Sequence, residues 1–306
     1  MPAEIAPPRP GWNLAHDLGE LLEYHFMVNA LIAGAVVAVM AGLIGWVMVL
    51  RRETFAGHTL SMMAFPGGSA AALLGIPAAW GYFAFCGGGA LAIGRLAGDQ
   101  RRSLSEESAG IGAVQAAALA AGFLFVSLYG GVLGDLESRL FGSFLGISDG
   151  KLLTLALIAA AVVAALGALA RPLLFSSVDS EVAAARGVPV RVLANLFLLL
   201  LGLAVAATSQ LTGVLLVFAL LVGPPASAQA ITARPALSLA LTVALGLLVV
   251  WLGLAISYFS PYPAGFFIAT VSFIVYVLAR VLGGALRERA ALLPEPQQPA
   301  PGGVIA

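Results

Sequence analysis

Lysine occurs once in this chain of 306 residues, at Lys151, and cysteine once, at Cys86. A single cysteine excludes a disulfide within the chain. Cys86 lies in an apolar run, where a thiol behaves as a small packing group. The single lysine follows Gly150 and precedes Leu152, so there is no Gly-rich loop ending in Gly-Lys-Ser/Thr to cradle a phosphate. ATP hydrolysis by that device is excluded. Charged residues make up 10% and the formal net charge is zero, which gives nucleic acid no electrostatic foothold. Only three histidines are present, and none sits in a His-Glu-x-x-His spacing that would build a membrane-embedded zinc enzyme. No Asp, Glu or Lys falls in the middle of an apolar segment, where a proton-coupled carrier keeps its coupling group. The first 26 residues carry Glu4, Asp17, Glu20 and Glu23 against Arg9, the wrong balance for a secretory signal. The chain carries little chemistry of its own and reads as a conduit driven from outside itself.

What the chain has is apolar length. Hydrophobic residues reach 60%, against about 45–50% in soluble domains. The run from Met27 to Leu50 is 24 residues, and at about 1.5 Å per residue it exceeds a hydrocarbon core of roughly 30 Å. Eight further segments follow, near 59–76, 78–97, 108–129, 152–175, 192–209, 211–230, 236–258 and 264–284. The expected fold is an all-α, polytopic membrane bundle of about nine transmembrane helices. Tight hairpins are expected at Ile76-Pro77 and at a Ser209-Gln210 corner. Positive charge is sorted across these segments. Of 15 Lys and Arg residues, only Arg9, Arg139 and Lys151 fall on the side of the N-terminus. The N-terminus is therefore expected outside and the C-terminus inside. The organisation reads as an extracytoplasmic tail over 1–26, a membrane domain over 27–284 and a disordered cytoplasmic tail over 285–306. The loop at 130–151, with Asp135 to Phe141, reads as a short interfacial helix. Small residues four apart, Gly34/Ala38 and Ala41/Gly45, let helices approach closely in lipid.

One stretch concentrates the side chains that could act, Arg51 to Gly68. Arg51 and Arg52 end the first apolar run. His58 stands at the mouth of the second, and Met62 lies one turn further on the same helix face. An imidazole and a thioether sharing a face at a membrane entrance suit a ligand pair or a gate. They equally suit a capping histidine and a packing methionine, with Met63 beside them. Pro66-Gly67-Gly68 then allows a bend or a close approach. His16, Asp17, Glu20, Glu23 and His25 could gather a cation, or simply begin a helix at the membrane surface. A second stretch, Asp179 to Pro189, is cytoplasmic. Asp179 and Glu181 open a short helix where negative charge is favoured. Ala183, Ala184 and Ala185 give it a small-residue face, and Gly187-Val188-Pro189 stops it. Such a helix can lie in a partner's groove, or it is an ordinary turn between spans.

Four stretches resemble, in order and spacing, the membrane subunits of ATP-binding-cassette importers for zinc, manganese and iron. They are Arg51 to Ser61 with Pro66-Gly67, Leu140 to Ser148, Asp179 to Pro189, and Gly213 to Ala226. The likeness covers about residues 27–284. It implies a homodimeric permease with no cofactor of its own. ATP would be used by cytoplasmic ATPase subunits, and an extracytoplasmic metal-binding protein would deliver the ion. It implies that Asp179, Glu181, Ala183, Ala184, Gly187 and Val188 belong to the helix that couples to the ATPase. It also places His58 and Met62 where the family typically has Asp and His touching the metal. Replacing carboxylate–imidazole by imidazole–thioether shifts the pair toward softer metals. A softer ion such as Cu(I), a path without a fixed site, or a metal chelate each fit that change. Importers of siderophores or vitamin B12, and an ion-coupled secondary carrier, stand as alternatives.

Overall fold

The computed structural model describes residues 22–97, 104–129, 147–213 and 217–291, with residue 19 besides. The regular elements among the described residues are all α-helices. They run α1 (His25–Leu50), α2 (Thr54–Leu73), α3 (Ala78–Ala97), α4 (Leu104–Leu128), α5 (Asp149–Val178), α6 (Ser180–Ala185), α7 (Val190–Thr212), α8 (Val217–Ile231), α9 (Pro235–Tyr258) and α10 (Ala264–Ala291). The expected apolar segments fall on α1 to α5 and α7 to α10, except that the segment expected at 211–230 begins inside α7. By length and composition, α1, α4, α5, α7, α9 and α10 can cross a membrane. The helices α2 and α3, with 20 residues each, and α8, with 15, fall outside that set. The expected interfacial helix at Asp135–Phe141 and the tails 1–18 and 292–306 lie outside the described residues. So does most of the Leu140–Ser148 stretch. Helix α10 continues to Ala291, past the expected limit at 284.

One expected corner is in the wrong place. Ser209 and Gln210 are helical, and α7 runs on to Thr212. The Ser209 hydroxyl donates to the Val205 carbonyl at 2.8 Å, folding back onto its own helix instead of opening a turn. The break falls at Gly213, with φ +73° and ψ 167°, a conformation that only glycine adopts freely.

The helices fall into two groups, the first built on α1. On one side α1 packs against α8 and α9, which pack with α10; on the other it packs against α5 and α7. The second group is α2 with α3 and α4, and α3 lies along α7. The two groups meet at α2 and α8 over a short stretch only. Lipid offers no hydrophobic drive between helices, so close backbone approach carries the packing. At Gly45 a Cβ would overlap the Leu221 carbonyl of α8, so α1 and α8 touch backbone to backbone. Gly67 and Gly81 do the same between α2 and α3, each lying against the other's carbonyl. Helix α2 passes through Pro66 without ending, and Pro66 to Gly68 are all buried.

Candidate pathway lining and cytoplasmic coupling surface

Helix α2 is buried almost continuously. Between Ala56 and Ser69, His58 and Met62 alone are half-buried, and every other residue is buried. His58 and Met62 therefore mark the partly open stripe of this stretch. His58 lies inside α2, which begins at Thr54, so it sits within the helix and not at its cap. Its ring meets Phe218 of α8 edge-on, with centroids 4.8 Å apart and planes at 68°. This contact bridges the two helix groups where they are thinly joined. Nδ1 of His58 is buried and has no hydrogen-bond partner among the described residues. An unsatisfied buried nitrogen costs about 1–3 kcal/mol, so the site leaves a polar atom waiting for a partner. Phe218 was not singled out by sequence; its stretch reads as a packed span, and the family resemblance implies that it lines or flanks the path without a ligand role.

Met63 plays no part in this stripe. It is 3% exposed and faces α3, where a Cβ on Gly89 would press on its side chain. Next to it, Thr59 is buried and donates to Gln115 Oε1 at 3.0 Å, tying α2 to α4. Among the described residues no group of three or more His, Cys, Asp or Glu is assembled that could hold a metal ion.

The stretch from Asp179 to Pro189 forms the short helix expected of it. The Asp179 carboxylate accepts from the backbone N–H of Glu181 at 3.0 Å and of Val182 at 2.9 Å, capping α6. At the other end Gly187 takes φ +82°, and the N–H of Val188 returns to the Ala183 carbonyl at 3.0 Å. Both ends are thereby satisfied by the chain itself, which a six-residue helix needs. Ala183 is fully buried against the bundle, and Val188 is half-buried. Glu181, Val182, Ala184 and Gly187 are exposed. The outward face is therefore small and partly apolar, with Val182 45% exposed and neighbouring Val178 86% exposed.

At the opposite end of the bundle, His25 pairs with a residue far along the chain. Its Nε2 is 3.1 Å from Asp149 Oδ1, and the buried Asn29 amide donates to the same oxygen at 2.7 Å. Asn29 also donates to the Ile147 carbonyl at 3.0 Å, so α1 and the start of α5 are clamped together. The cation cluster considered around His25 draws on His16, Asp17 and Glu20, which lie outside the described residues.

A bundle of long apolar helices, with a half-open stripe on α2 and a self-capped helix at one end, is the architecture of a multi-pass membrane protein. The chain belongs to the ABC 3 transport family, whose model matches residues 23–283. It is a protein of the bacterial cell membrane, as its relatives and its apolar helices indicate. It is 32% identical over 267 residues to the manganese transport system membrane protein MntC of Halalkalibacterium halodurans, covering 87% of this chain and 90% of that one. It is 28% identical to the manganese import system permease protein ScaB of Streptococcus parasanguinis, over 85% of this chain and 91% of that one. Among solved structures it is similar to PsaBC from Streptococcus pneumoniae in complex with Fab. The TM-score there is 0.78 at 26% identity, covering 90% of this chain and 99% of that chain.

Proposed function

We propose that this chain is the membrane-spanning permease subunit of an ATP-binding-cassette importer for a divalent transition-metal ion, with manganese the first substrate to test. Family membership across the whole bundle carries the reading, and relatives named for manganese transport and import support that choice of ion. Zinc and iron belong to the same substrate class. All nine long helices cross the membrane in this reading, with the N-terminus outside and the C-terminus inside. The 20-residue α2 and α3 reach about 30 Å at 1.5 Å per residue. Two copies pair, so that two His58–Met62 stripes face one path. ATP binding to separate cytoplasmic ATPase subunits moves α6, and the bundle alternates between outward and inward access. An extracytoplasmic metal-binding protein supplies the ion. The imidazole–thioether pair favours a softer ion or a metal chelate over a hard cation, which makes chelate import the second reading.

The test is manganese uptake into proteoliposomes holding the permease and its ATPase subunits. Uptake should require ATP, and solute accumulation by the permease alone without nucleotide would refute the reading. His58→Ala should lower uptake several-fold, while Met63→Ala, a packing change, should alter stability more than transport. Equal uptake in the two variants removes His58 from the path.

A further inference from the structure

Arg51 reads in the sequence as a charge that ends a membrane segment, yet its side chain is only 9% exposed. The turn after α1 explains this. Arg52 takes a left-handed backbone with φ +59°. The N–H of Glu53 returns to the Met48 carbonyl at 3.0 Å, and that of Arg52 to Val49 at 3.1 Å. This C-terminal motif is usually built on glycine. Here it turns Arg52 out to solvent and leaves Arg51 folded in among the helix ends.

The Arg51 guanidinium then meets three elements at once. Its Nε and a terminal nitrogen both lie 2.8 Å from Glu53 Oε1, a two-pronged contact. Its carbon sits 5.4 Å from the centroid of the Phe197 ring on α7. Its other terminal nitrogen lies 3.5 Å from the hydroxyls of Ser176 and Ser177 in the last turn of α5. Both hydroxyls donate to the Leu173 carbonyl, which leaves their lone pairs for the cation. The C-terminal ends of α1 and α5 both favour a positive charge here.

The placement of these partners is what matters. Helix α5 ends at Val178, and the next residue, Asp179, caps α6. After α6 the chain enters α7, which carries Phe197. Glu53 is the residue before α2, and its carbonyl accepts from Gly57, the neighbour of His58, at 3.0 Å. A planar guanidinium fixes direction as well as distance, unlike a lysine ammonium. We infer that Arg51, held by Glu53, is a positioning residue that transmits displacement of α6 to the root of α2 and so to His58. This rests on the reading that α6 receives the ATPase.

The experiment uses the assembled permease and ATPase complex in proteoliposomes, with manganese as the transported probe. Manganese uptake and ATP hydrolysis are measured together, and the ratio of the two is the readout. For Arg51→Gln the ATPase should remain bound and hydrolysing, while uptake per ATP falls at least tenfold. Arg51→Lys, which keeps the cation but not the planar fork, should recover part of that ratio, which a simple loss of folding would not. If Arg51→Gln does not assemble, Glu53→Ala decides, because it removes the acceptor on the α2 side and leaves the cation its Ser176, Ser177 and Phe197 partners. An unchanged ratio in the assembled variant overturns the inference alone. Nucleotide-independent uptake by the unaltered complex overturns the functional reading, and this inference with it.

Discussion

Replacing Asp179 by alanine removes the acceptor for two backbone N–H groups, those of Glu181 and Val182. Helix α6 has six residues and cannot persist on propensity alone. Its cap, the Gly187 turn and the burial of Ala183 hold it in place. Losing an N-cap carboxylate costs about 0.5–2 kcal/mol, typically about 1. A cost of about 1 kcal/mol lowers the ratio of formed to unformed α6 about fivefold. Amide exchange at Glu181 and Val182, measured by mass spectrometry on the permease in nanodiscs, should speed up by about that factor. Affinity for the ATPase should fall by no more than the same factor, since only the competent fraction binds. Asp179→Asn should behave like the unaltered protein, because asparagine caps as well as aspartate. The two substitutions separate a capping role from a charged contact with the ATPase. If Asn weakens docking as much as Ala, the carboxylate touches the partner directly. If exchange does not change in the alanine variant, the cap does not hold α6 and the reasoning fails.

Two further outcomes follow from the packing and the turn. Gly81→Ala drives a Cβ into the Gly67 carbonyl, and overpacking of this kind should cost about 1–3 kcal/mol. Gly88→Ala, with open space around it, should leave thermal melting of the detergent-solubilised permease unchanged or slightly raised, and equal losses in both variants would refute the close approach. Arg52→Val forces a β-branched residue into the left-handed turn and should melt below Arg52→Gly by an amount corresponding to about 1–2 kcal/mol. Equal melting of those two would show that the turn relaxes freely.

The stripe on α2 and the short helix α6 were both visible in the linear chain, but in different degrees. His58 and Met62 share a face because helix geometry fixes four-residue neighbours. The sequence could not show that the residues between and around them are all buried, which is what turns the pair into a stripe. In α6 the cap and the glycine stop act over two to five residues, so aspartate, small residues and glycine announced the element in advance. Which of its residues face outward was not visible, because Ala183 is buried by α5 and α7, elements that lie on either side of it in the chain. Arg51 was legible only as a sorted charge. Its burial depends on a left-handed Arg52, on Ser176 and Ser177, and on Phe197.

By itself the order of residues determined that this is a helical membrane protein and where its long helices lie. Hydrophobic length and small-residue spacing are local properties, and lipid demands that each segment satisfy its own backbone. Tertiary structure alone decided that α7 continues through Ser209 to Gly213, that His25 meets Asp149, and that Phe218 closes on His58. Those pairings join residues that lie far apart in the chain, and no local pattern specifies which helix will stand beside which. They are set when backbone approaches such as Gly45 on Leu221 and Gly67 on Gly81 select one arrangement of the bundle.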